Sequence, residues 1–194
     1  MNKKLEDIAS IATGVYEKGS PTGDTFYLQA KHFDEYGKFR PDSLLVPEVD
    51  LDERLERHLL EDGDVLLIAK GENNRACLYQ EEIGKAVASS TFFVIRLTEG
   101  QVIPEFLHWL LNTAYMQTVL SSLSRGTHIS SISKKILSKM EIQIPPLEQQ
   151  KNVLRIQSLW EKERSLSSEL IELKEKFYET LLLNLTNPKV EKNA

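Results

Sequence analysis

Ile142-Gln143-Ile144-Pro145-Pro146-Leu147-Glu148-Gln149-Gln150 divides the chain into two kinds of sequence. The paired prolines cannot continue a helix, because each lacks an amide hydrogen and crowds the preceding turn. From Leu147 to Leu185 there is then neither glycine nor proline, and the run reads as one long helix. At ~1.5 Å per residue it extends on the order of 50 to 60 Å, more than one small domain covers. Either it folds back or it meets another helix. Placing Leu159, Leu166 and Leu173 at heptad position d puts Ile156, Glu163, Leu170 and Phe177 at position a, a coiled-coil seam with one acidic flaw. An amphipathic helix packed on its own core has the same spacing. Asn187-Pro188 and the charged residues after it end the helix, and 187–194 reads as a frayed, disordered tail.

Residues 1–146 differ in kind, with short apolar runs punctuated by Gly, Pro, Asn and Asp. The pattern predicts an α+β architecture, one mixed domain followed by the long helix over 147–186. Leu5 to Ile11 reads as an opening helix or amphipathic turn, and 14–23 as a loop leading into a strand over Thr25-Phe26-Tyr27-Leu28. Asp64-Val65-Leu66-Leu67-Ile68-Ala69, bounded by Gly63 and Gly71, is the clearest strand and is expected to be buried on both faces. Ala86-Val87-Ala88 and Thr91 to Leu97 give further strands. Pro104 suits the first turn of a helix that puts Phe106, Leu107, Leu110 and Leu111 on one face.

The formal net charge of −5 argues against indiscriminate nucleic-acid binding, which rests on a basic excess. Charge must therefore be patterned. Eight acidic residues between Glu48 and Asp64 face only Arg54 and Arg57, so that region is expected to point away from a nucleic acid. Positive charge gathers around Lys70, Arg75 and Lys85, and again at Arg125, Lys134, Lys135 and Lys139. No run approaches the ~20 apolar residues of a membrane span, and the start of the chain has no signal-like apolar stretch, which points to a cytoplasmic protein. Cys77 is the single cysteine and reads as a buried structural thiol.

Catalytic constellations are missing. Pro41-Asp42 has no acidic-x-Lys partner outside the long helix, where Glu172-Leu173-Lys174 places Leu173 in the seam. Ile144-Pro145-Pro146-Leu147 lacks the polar and aromatic residues with which an amino-methyltransferase holds a base, and no phosphate-cradling Gly-x4-Gly-Lys loop is present. His32, His58, His108 and His128 are scattered, without metal-ligand spacing.

Ser124-Arg125-Gly126-Thr127-His128-Ile129-Ser130-Ser131-Ile132-Ser133, then Ile136-Leu137, then Met140 through the Pro-Pro-Leu-Glu-Gln-Gln junction and the long helix, form an ordered series. It resembles the end of a target-recognition domain and the start of the helical spacer in the specificity subunits of type I restriction-modification systems. Asp62 to Gly71 is similar to that family's Gly-Asp-Ile-Leu strand, and Ala88 to Leu97 followed by Pro104 to Leu111 to its next strand and helix. The resemblance implies a non-catalytic subunit that reads double-stranded DNA and directs a separate methyltransferase and a translocating nuclease. S-adenosylmethionine, ATP and magnesium then belong to those partners, with no cofactor in this chain. The family's usual subunit carries two recognition domains and two spacers, whereas this chain has room for one of each. It therefore resembles a half-subunit, whose two copies would pair their long helices antiparallel and read a split target with inverted halves. Pairing with a different half, or a remnant that no longer binds, stays open. So does a coiled-coil adaptor without nucleic-acid contact, which the net charge favours, and the recognition part of a single-chain methyltransferase system.

Two segments are candidates for DNA contact. Hydroxyls, backbone N–H groups and cations of Arg125, Thr127, His128, Ser130, Lys134 and Lys135 suit a phosphate, although a helix capped by Ser130 or Ser131 with a solvated face has the same sequence. Lys70, Asn73, Asn74 and Arg75 suit base reading, since amide and guanidinium groups make bidentate contacts to purine edges. A hairpin loop with no DNA near it would look similar. Dimerisation falls to Ile156, Leu159, Leu166, Leu170, Leu173 and Phe177.

Overall fold

The chain runs β1 (Asn2–Lys4), β2 (Ala9–Thr13), β3 (Thr25–Leu28), β4 (Pro47–Val49), α1 (Glu53–Glu56), β5 (Val65–Ile68), β6 (Ala76–Leu78), β7 (Ala86–Ala88), β8 (Phe92–Leu97), α2 (Pro104–Leu111), α3 (Ala114–Leu123), α4 (Lys134–Ser138), β9 (Glu141–Gln143) and α5 (Leu147–Thr186). The computed structural model describes residues 2–20, 23–40, 45–70, 74–98, 100–124 and 131–186. It forms two units, Met1–Lys151 and Asn152–Ala194. Sheets and helices in the first unit and a 40-residue helix at its end make the expected α+β class. Among the described residues no helix is long and apolar enough to cross a membrane.

In the first unit β5 lies inside an antiparallel sheet of order β2-β8-β5-β6, and all four of its residues are buried. This is why its sequence is a continuous apolar run: both faces are covered. A second sheet, β4-β3-β7, pairs β3 with β7 in parallel and β3 with β4 antiparallel. Leu28, Phe33, Leu66, Cys77, Ala88 and Phe92 meet in one core, and Tyr27, Val49, Leu55 and Val87 in a smaller one. Phe33 packs edge-on against Phe92, with ring centroids 6.1 Å apart. A third pairing, β1 with β9, sets Lys3 opposite Ile142 and ties the start of the chain to the strand before the prolines.

One expectation is corrected. Of the two readings of Leu5 to Ile11, the turn holds over Leu5–Asp7, as a three-residue 3-10 turn, and the helix does not, because β2 follows. Ile8 and Ile11 have helical spacing, yet Ala9 and Ile11 alternate with exposed Ser10 and pair with Leu97 and Ile95 of β8. Tertiary pairing overrides a short local period.

The two proline residues are followed at once by α5, and the reason for the Gln-Gln is visible in its first turn. Gln150 is wholly buried. Its Oε1 accepts from Ile103 N at 2.9 Å, and its Nε2 donates to Gln101 O at 2.9 Å and to Pro145 O at 2.8 Å. One amide side chain thus ties the helix start to the segment before α2 and to the end of the proline bend. In the second unit no described residue of α5 is buried.

Candidate nucleic-acid interface

β5 and β6 form a hairpin closed by Ile68 N donating to Arg75 O at 2.9 Å. Its first foot is Ala69-Lys70. Ala69 N donates to Thr91 O at 2.8 Å, Ile132 N donates to Ala69 O at 3.0 Å, and Lys70 pairs with Ser131 as an antiparallel bridge. The Lys70 side chain is exposed. The second foot is Asn74, only 4% exposed. Its Nδ2 donates to Ile68 O at 3.0 Å, its Oδ1 accepts from the Ser124 hydroxyl at 3.2 Å, and its carbonyl accepts from Gln117 Nε2 at 3.1 Å. The Asn74 amide is therefore turned into the framework and not toward the surface. Asn73, expected beside it, lies outside the described residues, as do Arg125, Thr127, His128 and Ser130. The two segments selected from the sequence nevertheless share a base, since Lys70 meets Ser131 and Asn74 meets Ser124.

Arg75 is half-buried, and its Nη1 donates to the Asp34 carbonyl oxygen. That carbonyl belongs to a tight turn in which Asp34 Oδ1 accepts from Tyr36 N at 2.8 Å and Lys38 N at 2.9 Å. Gly37 holds φ +76°, and a Cβ there would stand 1.9 Å from the Ala76 carbonyl oxygen. Only glycine lets the turn lie this close to β6. His108 Nε2 lies 3.1 Å from Tyr36 O, so this histidine fastens the turn to α2. His32 is buried, with Nδ1 accepting from Gln29 N at 3.2 Å, and burial holds its imidazole below the ordinary value.

β6 is the outer strand of its sheet, and its free edge is covered by one side chain and one backbone carbonyl. Asn112, at the corner between α2 and α3, accepts from Ala76 N at 3.0 Å and donates back to Ala76 O at 2.9 Å, imitating a neighbouring strand. Leu78 N donates to Gly37 O at 3.2 Å. Gln117 Nε2 donates to Leu111 O at 2.8 Å as well as to Asn74 O. Sequence reading did not reach Asn112 or Gln117. The one available signal was Asn112-Thr113, a polar break between two apolar helical runs.

Lys134 and Lys135 are exposed on α4, as is Lys139 just after it. The N-cap is Ser133, whose hydroxyl accepts from Ile136 N at 3.3 Å, and not Ser130 or Ser131. Ser131 is occupied as the bridge partner of Lys70, which moves the helix start two residues on. The Cα of Lys134 is within ~11 Å of that of Ser131, the reach of three residues, so the first lysine of α4 stands near the hairpin foot.

The acidic run is partly consumed inside the first unit. Asp64, with a 1% exposed side chain, grips Arg96 through both oxygens, at 2.9 and 2.7 Å, and Glu61 meets the same guanidinium at 2.6 Å. The bond to Asp64 holds the Arg96 guanidinium above its ordinary value. Asp52 caps α1 by accepting from Leu55 N at 2.8 Å. Among the described residues no group of three or more His, Cys, Asp or Glu is arranged to hold a metal. Cys77 is buried.

On α5 the seam residues Ile156, Leu159, Leu166, Leu170, Leu173 and Phe177 are all exposed, by 52 to 68%. Isolated apolar side chains on a surface are ordinary, but an aligned series along one helix is not.

Comparison with known proteins gives a consistent answer. A family model described as the type I restriction modification DNA specificity domain matches residues 2–175. The specificity subunit of the type I restriction enzyme MjaVIII of Methanocaldococcus jannaschii is 29% identical over 100 residues, 52% of this chain and 22% of that protein. The fold is similar to the crystal structure of a type I restriction-modification system S subunit from M. genitalium, with TM-score 0.58, 13% identity and coverage of 98% of this chain and 46% of that one. It is also similar to the HsdS subunit from Thermoanaerobacter tengcongensis, with TM-score 0.60, 16% identity and coverage of 84% and 37%. A chain from a structure concerned with complex assembly and conformational transition of the type I R-M system gives TM-score 0.66, 15% identity and coverage of 93% and 43%. The chain spans less than half the length of each of these relatives.

Proposed function

The chain belongs to the type I restriction-modification DNA specificity family, and on that premise we propose that its first unit reads the sequence of double-stranded DNA while α5 assembles the complex. The observation that carries the reading is the common base of the two candidate segments, where Lys70 bridges Ser131 and Asn74 meets Ser124. Base recognition requires donors held in a fixed geometry by supporting contacts, and the bridge between Lys70 and Ser131 and the bond from Ser124 to Asn74 are contacts of that kind. Lys70, Lys134 and Lys135 supply cations near that foot, and Arg75 orients the neighbouring turn with one nitrogen of a guanidinium that carries five N–H donors in all. Asn73, Arg125, Thr127, His128 and Ser130 complete the proposed contact set.

The proposed unit works without catalysis of its own. It docks a methyltransferase subunit and, through it, a restriction and translocation subunit, in the cytoplasm; those partners bring S-adenosylmethionine, ATP and magnesium. Through the exposed seam α5 pairs with the same helix of a second copy, so that two recognition units face a split target with inverted halves.

Phosphate contacts and base contacts separate by experiment. Lys134 and Lys135 changed together to Ala are expected to weaken binding of the methyltransferase complex to all duplexes by a similar factor. The logarithmic salt slope is expected to fall by about one for each phosphate no longer neutralised. A double variant that changes which sequence is preferred, with the salt slope intact, would reverse the assignment of holding and reading.

A further inference from the structure

The hairpin between β5 and β6 has two feet, one fastened by Gln117 and Ser124 and the other by Ser131 and Ile132. At the Asn74 foot Gln117 donates to the backbone carbonyl at 3.1 Å and Ser124 to the side-chain oxygen at 3.2 Å. At the Lys70 foot Ile132 N donates to Ala69 O at 3.0 Å and Ser131 forms the bridge. Asn74 passes the constraint on, because its Nδ2 donates to Ile68 O of β5 at 3.0 Å. Both amide hydrogens of Gln117 are used, the second on Leu111 O at 2.8 Å, which ties the foot to the end of α2. Among the described residues no buried side-chain nitrogen or oxygen lacks a partner.

We propose that Gln117, Ser124 and Asn74 are positioning residues for DNA readout, setting which sequence is preferred without touching DNA. The inference rests on the DNA reading above and adds to it the residues that fix the reading geometry. Its physical basis is the different tolerance of the two kinds of contact. A bidentate base contact needs donors placed to within about 0.5 Å, whereas attraction to phosphates falls off slowly and survives small displacements. Loosening one foot of the hairpin therefore lowers discrimination and leaves general affinity nearly unchanged.

The test uses the full chain in complex with its methyltransferase subunit. Its probes are duplexes that the wild-type complex enriches from a random library, against duplexes of scrambled sequence. Ser124→Ala, which removes one donor, is expected to lower the ratio of preferred to scrambled binding by about three- to tenfold, as expected for loss of a hydrogen bond, and Gln117→Ala, which removes two, by at least as much. Affinity for scrambled duplexes is expected to change by less than about twofold. Gln117→Glu, which sets carboxylate oxygens against the Asn74 and Leu111 carbonyls, is expected to lower the ratio further than Ala does. An unchanged ratio in Gln117→Ala and Ser124→Ala, whatever their melting temperatures, overturns the inference and leaves the DNA reading standing. Should Gln117→Ala fail to fold, the ratio of Ser124→Ala decides, since it removes one hydroxyl from a half-buried position. A wild-type complex that binds all duplexes alike overturns the DNA reading and the inference together.

Discussion

Cys77 shows how a single side chain reports on the packing around it. It sits in β6 with no exposed surface, and burial pushes its thiol up to about 12 from an ordinary value of 9.0. The folded chain therefore holds this proton more tightly than the unfolded chain. Its contribution to stability is complete below pH 9 and is lost as pH rises from 9 toward 12. Tyr27 and Tyr79, whose hydroxyls burial also raises, act in the same direction. The urea midpoint is expected to fall across that window, and to fall less steeply in Cys77→Ala, which keeps only the tyrosine contribution. Identical slopes in the two proteins would show that the thiol is not enclosed as described. Asn74 carries a second lesson at this scale. As a residue type it suits a purine edge, but the folded chain uses its amide on Ile68 and Ser124. Composition alone could not distinguish the two uses, because the deciding partner is fifty positions away.

Elements were legible where one local pattern dominated. β3, β5 and β8 announce themselves through aliphatic or aromatic runs between breakers, β7 through a short apolar run, α2 through Pro104, and α5 through its freedom from glycine and proline. β2 was not legible, because Ile8 and Ile11 imitate a helical face and only β8 decides otherwise. α3 was missed because it buries just Met116 and Leu120 in a run rich in serine, threonine and glutamine. The bridge of Lys70 with Ser131 joins positions far apart in the chain, and no periodicity encodes such a register. The junction motif offers a sharp test of element-level reasoning, since Gln149 and Gln150 are identical in type and opposite in environment. Gln150→Ala would strip partners from Ile103 N, Gln101 O and Pro145 O, and is expected to destabilise the protein by about 2 to 3 kcal/mol. Exposed Gln149→Ala is expected to change stability by less than about 0.5 kcal/mol. Equal effects in chemical denaturation would contradict the role given to Gln150.

The proposed nucleic-acid partner requires an acidic chain to distribute its charge. Part of the acidic run is spent on Arg96 and on capping α1, while Lys70, Lys134 and Lys135 are exposed. The exposed seam of α5 gives assembly its own test. Leu166→Glu with Leu170→Glu would bury unpaired carboxylates in a helix pair, at several kcal/mol each, and is expected to convert a dimer to monomer in light scattering. A wild-type chain that is monomeric both alone and with its methyltransferase would remove the pairing. The central claim is that this chain selects a DNA sequence, and selection from random duplexes by the assembled complex of full chain and methyltransferase addresses it most directly. The enriched pool is expected to carry one short sequence in two inverted copies at a fixed separation, whereas a pool indistinguishable from the input would contradict the claim.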